Sequence, residues 1–342
     1  MQALGSAILF GGSTPAAKYL LADIGPQMLA GLLYLGAGLG LAIIRYRDRK
    51  NSKTNKTGNL NNSEMKVLLA AIFCGGLLAP LLMMLGLKSG SGSSASLLLN
   101  MESVFTALLA WFMFKENFDF RIIAGMISIV AGSAILSFEP ESSFLLSSSL
   151  LILLACFFWA LDNILTRNIS HADASFIASS KGLIAGLANC TIAFCNGQSL
   201  PSAGNLAAAF AVGFLGYGLS LLLFIKALDK LGASRCSAYF SCAPFAGALL
   251  SIIFLTEKVN GSFLLAGALM LTGVCLHLFE KHEHEHCHEE IEHEHLHEHD
   301  EHHQHEHEAG SKTEEAHSHW HRHEALIHSH PHYPDSQHRH EH

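Results

Sequence analysis

Ten stretches of about 20 mostly apolar residues fill the first 280 positions of this 342-residue chain, and a run of that length is what a helix needs to cross the hydrocarbon core of a bilayer. They lie near 2–22, 26–44, 66–87, 93–114, 119–138, 147–165, 174–195, 204–225, 233–254 and 260–279. A soluble helical bundle would instead show amphipathic faces with recurrent charges. Charged residues make up only 15% of this chain, against about 25% for an average soluble domain. The connections are short and carry turn residues: Asp23-Ile24-Gly25-Pro26, Ser89-Gly90-Ser91-Gly92, Glu139-Pro140, and Gln198 to Gly204 around Pro201. The expectation is an all-α integral membrane protein.

The charge is unevenly divided. Residues 1–281 hold 18 Lys/Arg and 13 Asp/Glu, whereas residues 282–342 hold 3 Lys/Arg, 16 Asp/Glu and 22 of the 24 histidines. No cleavable signal peptide is expected, because the first apolar run begins at Met1 and passes Pro15 without a basic leader. Seven of the eight cysteines fall in apolar stretches and none forms a CxxC pair, so they read as small core residues. The loop after the second run is the most basic: Arg45, Arg47, Arg49, Lys50, Lys53, Lys56 and Lys66. By the positive-inside rule it is cytoplasmic. Lys115, Arg121, Arg167, Lys226, Lys230, Arg235 and Lys281 then also fall inside, and only Lys88 and Lys258 outside. Both termini are expected in the cytoplasm.

An internal repeat is visible. Ser94 to Glu116 reads SASLLLNMESVFTALLAWFMFKE, and Arg235 to Glu257 reads RCSAYFSCAPFAGALLSIIFLTE. Each has a small-residue start (Ser96, Ser237), a polar or proline break, and a Leu-rich run ending in Glu. Ala124-Gly125 and Ala266-Gly267 follow in the next helix of each copy. Five helices per copy is an odd number, so the copies would insert in opposite orientations, an architecture recurrent among transporters. The opening ILFGGSTPAAKYLL, Ile8–Leu21, and the stretch Ser96–Glu116 with its later echo resemble the EamA-type branch of the drug/metabolite transporter superfamily. ALDNILTRNIS, Ala160–Ser170, resembles one subgroup of it, while Ser103 stands where many relatives carry Pro and Pro244 keeps it in the second copy. The resemblance implies two inverted five-helix repeats, 1–138 and 147–280, in a prokaryotic inner membrane, moving a small solute and catalysing no covalent reaction.

Ionisable groups at membrane depth are costly and mark functional candidates. Glu102, two residues after Asn100, lies midway along the fourth run; Asp162 beside Asn163, Lys181 and Lys18 lie in the sixth, seventh and first. Glu102 would be the acid of a polar cavity and could exchange a proton, with Lys18 or Lys181 offsetting its charge. Buried ion pairs or snorkelling side chains are the alternative. Pro80 and Pro244 read as kinks inside helices, and Tyr217 and Tyr239 as cavity-lining or packing rings. Gly182, Gly186, Gly213, Gly216, Gly218 and Gly247 read as close-contact positions between helices.

The tail, 281–342, is too poor in apolar residues to offset the entropy of ordering and is expected to be disordered when free. Its first cluster carries His282, His284, His286, His288, His293, His295, His297, His299, His302, His303, His305 and His307; its second carries His317, His319, His321, His323, His328, His330 and His332. Imidazole suits Zn²⁺, Ni²⁺, Co²⁺ and Cu²⁺, and interleaved carboxylates add oxygen donors. Titration near pH 6.5 also makes the tail a candidate pH sensor. No cofactor is required by this reading, and no GxxxxGK[ST] loop for a nucleotide is present. Three functions stay open: a transporter of small solutes regulated by or acting on metals, a transporter of a divalent metal or its chelate, and a metal-buffering membrane protein that transports nothing. The expected partners are the lipid bilayer and a small solute, not nucleic acid; homodimer formation is left open.

Overall fold

The computed structural model describes residues 1–51, 60–114, 120–137, 143–169, 172–231, 236 and 239–278, and the backbone of four tail segments, 282–288, 291–297, 317–323 and 326–332. Lys53, Lys56, Lys115, Glu116, Glu139, Pro140, His171, Arg235, Ser237 and Lys281 lie outside the described residues, as do His299, His302, His303, His305 and His307. The chain divides into two compact units, Met1–Glu280 and Lys281–His342.

The first unit is helical: α1 (Gln2–Leu20), α2 (Pro26–Asn51), α3 (Asn62–Ala71), α4 (Ala79–Ser89), α5 (Gly92–Leu98), α6 (Met101–Phe114), α7 (Phe120–Ser137), α8 (Ser143–Arg167), α9 (Ala174–Cys195), α10 (Ala203–Gly213), α11 (Ser220–Leu231), α12 (Ala243–Leu255) and α13 (Gly261–Leu278). A π-helical turn, Ile72–Leu78, joins α3 to α4, and a second, Phe214–Leu219, joins α10 to α11. Among the described residues seven helical runs are long and apolar enough to cross a membrane, among them Asn62–Ser89 and Ala203–Ala227, while Ala243–Leu255 and Gly261–His277 are shorter apolar helices. Large apolar side chains cover the outside: Phe112 is 79% exposed, Phe120 78% and Phe254 73%. In water such a surface would drive aggregation; in lipid it is the solvated face. The chain is a multi-pass membrane protein.

Boundaries differ from the expected runs where backbone chemistry intervenes. The run expected at 93–114 breaks at Leu99-Asn100, where Ser103 Oγ and Asn100 Nδ2 donate to the carbonyls of Asn100 and Leu97 at 2.7 and 2.8 Å. Pro244 does not kink a helix running 233–254: α12 begins at Ala243, and proline in a first turn lacks only an N–H that has no intrahelical partner there. Pro80, by contrast, lies within the continuous helical run Asn62–Ser89 as expected, directly after its π turn.

Within the first unit α2 packs along α9 and α7 along α13, while α1 contacts α12 much as α8 contacts α6. Small residues make these approaches possible. A Cβ on Gly11 would fall 2.8 Å from the Gly247 amide nitrogen, so α1 and α12 touch backbone to backbone. Contacts define two ends of the bundle. At one, Lys18 reaches Gly90, Glu257 reaches Gly92, and Asn205 Nδ2 donates to Asp23 at 3.1 Å. At the other, Arg45 pairs with Asp173 at 3.2 Å and stacks over Phe176. Asp173 caps α9. Burial would raise its pKa, but hydrogen bonds from the Ser175 hydroxyl and the Phe176 and Ser175 amides, with the nearby Arg45 guanidinium, hold it below the ordinary carboxylate value.

In the second unit the described backbone forms β1 (His282–His288), β2 (Ile291–His297), β3 (His317–His323) and β4 (Leu326–His332). β1 pairs antiparallel with β4, and β2 with β3. Where composition leads to an expectation of disorder, these four segments take strand backbone; their alternation of residue types has the two-residue period of a strand. The register sets histidine opposite histidine: His284 against His330 and His286 against His328 in one ladder, His293 against His321 and His295 against His319 in the other.

Candidate functional site

A cavity of about 610 Å³ opens among α1, α6, α8, α12, α13 and the break before α6, lined by Asn100, Glu102, Ser103, Thr106, Asn163, Arg167, Ser241, Pro244 and His277 among polar and turn residues, and by Phe10 and Phe240 among apolar ones. Its depth is set by the break at Leu99-Asn100, which starts α6 inside the bundle and puts Glu102 in the first turn of that helix. The carboxylate there is favoured by the positive end of the helix dipole. Asn163 Nδ2 donates to Glu102 Oε1 at 2.8 Å and lies 3.5 Å from Thr106 Oγ1. Arg167, four residues further along α8, also lines the cavity and has its guanidinium carbon 4.6 Å from the centre of the Phe114 ring. His277 contacts the Ile122 carbonyl oxygen at 3.1 Å from α13. The cavity therefore carries an acid within it and a guanidinium and an imidazole among its walls, with aromatic faces between.

The other sequence candidates separate into three groups. Asn100 and Pro244 join Glu102 and Asn163 in the cavity wall. Asp162 and Lys181 form a buried ion pair behind it: Lys181 Nζ donates to Asp162 Oδ1 and Oδ2 at 2.5 and 2.6 Å and to Thr166 Oγ1 at 3.2 Å. Asp162 is 7% exposed. Adjacent residues on a helix point apart by about 100°, so Asp162 faces α9 while Asn163 faces the cavity. The pair anchors the turn of α8 that presents Asn163. Lys18 goes elsewhere, donating to the carbonyls of Leu87, Lys88 and Gly90 at 2.8, 3.0 and 2.8 Å.

Tyr217 packs in rather than lining the cavity, its ring 5.8 Å from that of Phe10 and 5.9 Å from that of Tyr34. Tyr239 is 49% exposed and does not line it. Arg167 and His277 are cavity residues that sequence reasoning missed. Arg167 was counted only as a loop charge, and His277 carried no signal beyond being a histidine late in an apolar run.

A backbone site adjoins the ion pair. The π turn turns the Gly75 carbonyl towards α2 and α8, where it accepts from Tyr34 Oη at 2.7 Å and Trp159 Nε1 at 3.1 Å. Turns of this kind leave carbonyls without a regular helical partner, and here side chains supply one. A Cβ on Gly75 would overlap the Asp162 carboxylate, so only glycine lets the turn lie against the pair.

The profile of the EamA-like transporter family matches the chain twice, over residues 1–138 and 146–279. An uncharacterized transporter of Methanothermobacter thermautotrophicus is 29% identical over 282 residues, covering 78% of this chain and 82% of that protein. A permease-like protein of Bacillus subtilis, YdzE, is 33% identical over 72 residues, 21% of this chain and 92% of its own. One solved crystal structure has the same fold, with a TM-score of 0.59 at 16% identity over 80% of this chain and 94% of that one. With the family profile spanning both halves of the helical unit, the chain belongs to the EamA-like transporter family.

Proposed function

We propose that the protein is a secondary transporter of small organic solutes that works by alternating access, with ten spans arranged as two inverted five-helix halves. The observation that carries this reading is the cavity holding Glu102, walled by helices of both halves and lying towards the Arg45 end of the bundle. The matching π turns in the third span of each half and the double family match support the repeat. The basic residues at the Arg45 end support reading that end as cytoplasmic and the helical unit as lying in a prokaryotic inner membrane. Glu102 takes up and releases a proton as the solute moves, and Asn163 holds the carboxylate in place.

The test is a thermal-stability screen of the purified protein against small organic solutes, followed by counterflow of any stabilising solute in proteoliposomes. A solute that raises the melting temperature and exchanges across the bilayer is expected. If stabilising solutes are found but none crosses, the transport reading fails.

A second reading concerns the tail. The register of both ladders pairs histidine with histidine, and imidazole is a residue type suited to Zn²⁺, Ni²⁺, Co²⁺ or Cu²⁺. Among the described residues of the helical unit no group of three or more His, Cys, Asp or Glu is placed to hold a metal ion. The tail is read as a metal buffer or regulator attached to a solute transporter. Titration calorimetry with Zn²⁺ and Ni²⁺ should show several ions bound per full-length chain at neutral pH. Binding should fall away below about pH 6, as imidazoles protonate, and be lost in a chain ending at Lys281. Equal binding by the shortened chain would sink this reading.

A further inference from the structure

The end of the bundle opposite the cavity mouth is tied together by two long-range caps on one tight turn. α4 ends at Ser89 and α5 begins at Gly92, so carbonyls and amides without helical partners meet across the two-residue link Gly90-Ser91. Glu257, from the connection between α12 and α13, accepts from the amides of Gly92 and Ser93 at 2.7 and 2.8 Å. Lys18 of α1 donates to Leu87, Lys88 and Gly90 carbonyls on the other side of the turn. Each charge sits at the helix end whose dipole it complements, and the Glu257 charge also acts on Lys18. A purely local turn would be capped from nearby in the chain, as the Ser91 hydroxyl does by accepting from the Ser94 amide at 3.1 Å. Here both charged partners come from distant spans.

The residue that aims Glu257 is itself unusual. Thr256 ends α12 with φ 52° and ψ 39°, and among the described non-glycine residues it alone has positive φ. A β-branched side chain pays for that conformation, and such strain gathers at switch regions. α12 then runs from this point to Ala243 and Pro244 in the cavity wall. On its way it presses on α5, where a Cβ on Gly92 would come within 2.8 Å of Ser251 Oγ, and on α1 at Gly11. The same short helix therefore joins the capped turn to the cavity.

We infer that Glu257, Lys18 and the left-handed Thr256 form a latch that holds the Gly90 end of the bundle shut, and that opening on that side requires Glu257 to leave the α5 amides. The inference rests on the alternating-access reading above.

Its test uses a Ser103→Cys reporter in the cavity of the full-length protein. A membrane-impermeant maleimide is applied from either face, and labelling is read by peptide mass spectrometry, which separates position 103 from the native cysteines. In the parent protein, labelling is expected from the Arg45 side and to be slow from the Gly90 side. Glu257→Gln should raise the Gly90-side rate about tenfold, the ratio for weakening a charge-assisted hydrogen bond. Thr256→Gly, which removes the strain while keeping Glu257, should lower it. Lys18→Met gives a second loosening variant if Glu257→Gln does not fold. Rates from the Gly90 side that stay at the parent value in every folded variant would overturn the latch. A parent protein that labels only from the Gly90 side would overturn the alternating-access reading itself.

Discussion

Glu102→Gln should leave solute exchange running while reducing accumulation driven by a pH gradient to below about a tenth of wild type. Gln keeps the shape of the side chain and an oxygen that can accept from Asn163 Nδ2, which stands 2.8 Å from Glu102 Oε1. What it removes is the proton. A carboxylate at membrane depth is held there at a cost of about 2.5–3.5 kcal/mol on insertion scales, and a group retained only to bind a polar solute would not need to ionise. The measurement is paired: counterflow of labelled solute at equal pH, and uphill uptake or efflux under an imposed gradient, in proteoliposomes of both proteins. Loss of the second with retention of the first assigns coupling to Glu102. If the variant still concentrates solute in response to the gradient, the proton travels by another group. Loss of both would mean that the charge is needed to bind the solute.

Lys181→Met should destabilise the protein by about 3–5 kcal/mol, the range for removing one partner of a buried ion pair. The Asp162 and Lys181 side chains are 9% and 17% exposed, so water replaces the lost ammonium poorly. The remaining carboxylate would still accept from the Thr166 hydroxyl, 3.0 Å away, but would have lost its counter-charge. Asp162→Leu combined with Lys181→Met should recover most of the loss, because two apolar side chains leave no unpaired charge. Thermal unfolding in detergent of the two single variants and the double variant closes the cycle. A double variant as unstable as Lys181→Met alone would show that the cost lies in packing rather than in the stranded charge. Because the pair fixes the turn of α8 that carries Asn163, the double variant should also fold but transport poorly, which separates positioning from stability.

How much of this was legible beforehand depends on the kind of feature. The apolar runs were, because lipid demands them irrespective of what the helices touch: α9 falls at Ala174–Cys195, where hydropathy alone places the seventh run. Glu102, Asn100 and Asn163 were legible as cavity candidates because polar groups stand out against lipid-soluble neighbours, whereas Pro244, read as a kink, lines the cavity from the first turn of α12. Pairing was not. Lys18 and Lys181 look alike in sequence, each a lone ammonium in an apolar run. One reaches backbone carbonyls about 70 positions away and the other a carboxylate 19 positions away. Backbone carbonyls are everywhere, so no residue type announces that they are the target. Arg167 was hidden by its place at a helix end, where a cation ordinarily reports topology and solvation. The π turns were hidden for another reason, since an extra residue in a helical turn changes no side chain and leaves mean hydropathy untouched.

Those two turns say something about the tolerance of the chain. A π turn accommodates one more residue than the α-helical path it interrupts. Seen from α4, the face of α3 is therefore offset by about 100°, one residue's worth of rotation. Removing a single residue between Ile72 and Leu78 would restore a regular helix and swing one end of the span by that angle, carrying Gly75 away from Asp162. Length between Ile72 and Leu78 is thus constrained together with identity at Gly75, the reverse of what holds along the lipid-facing surface. A turn of the same kind occupies Phe214–Leu219, so the same sensitivity to length is expected there.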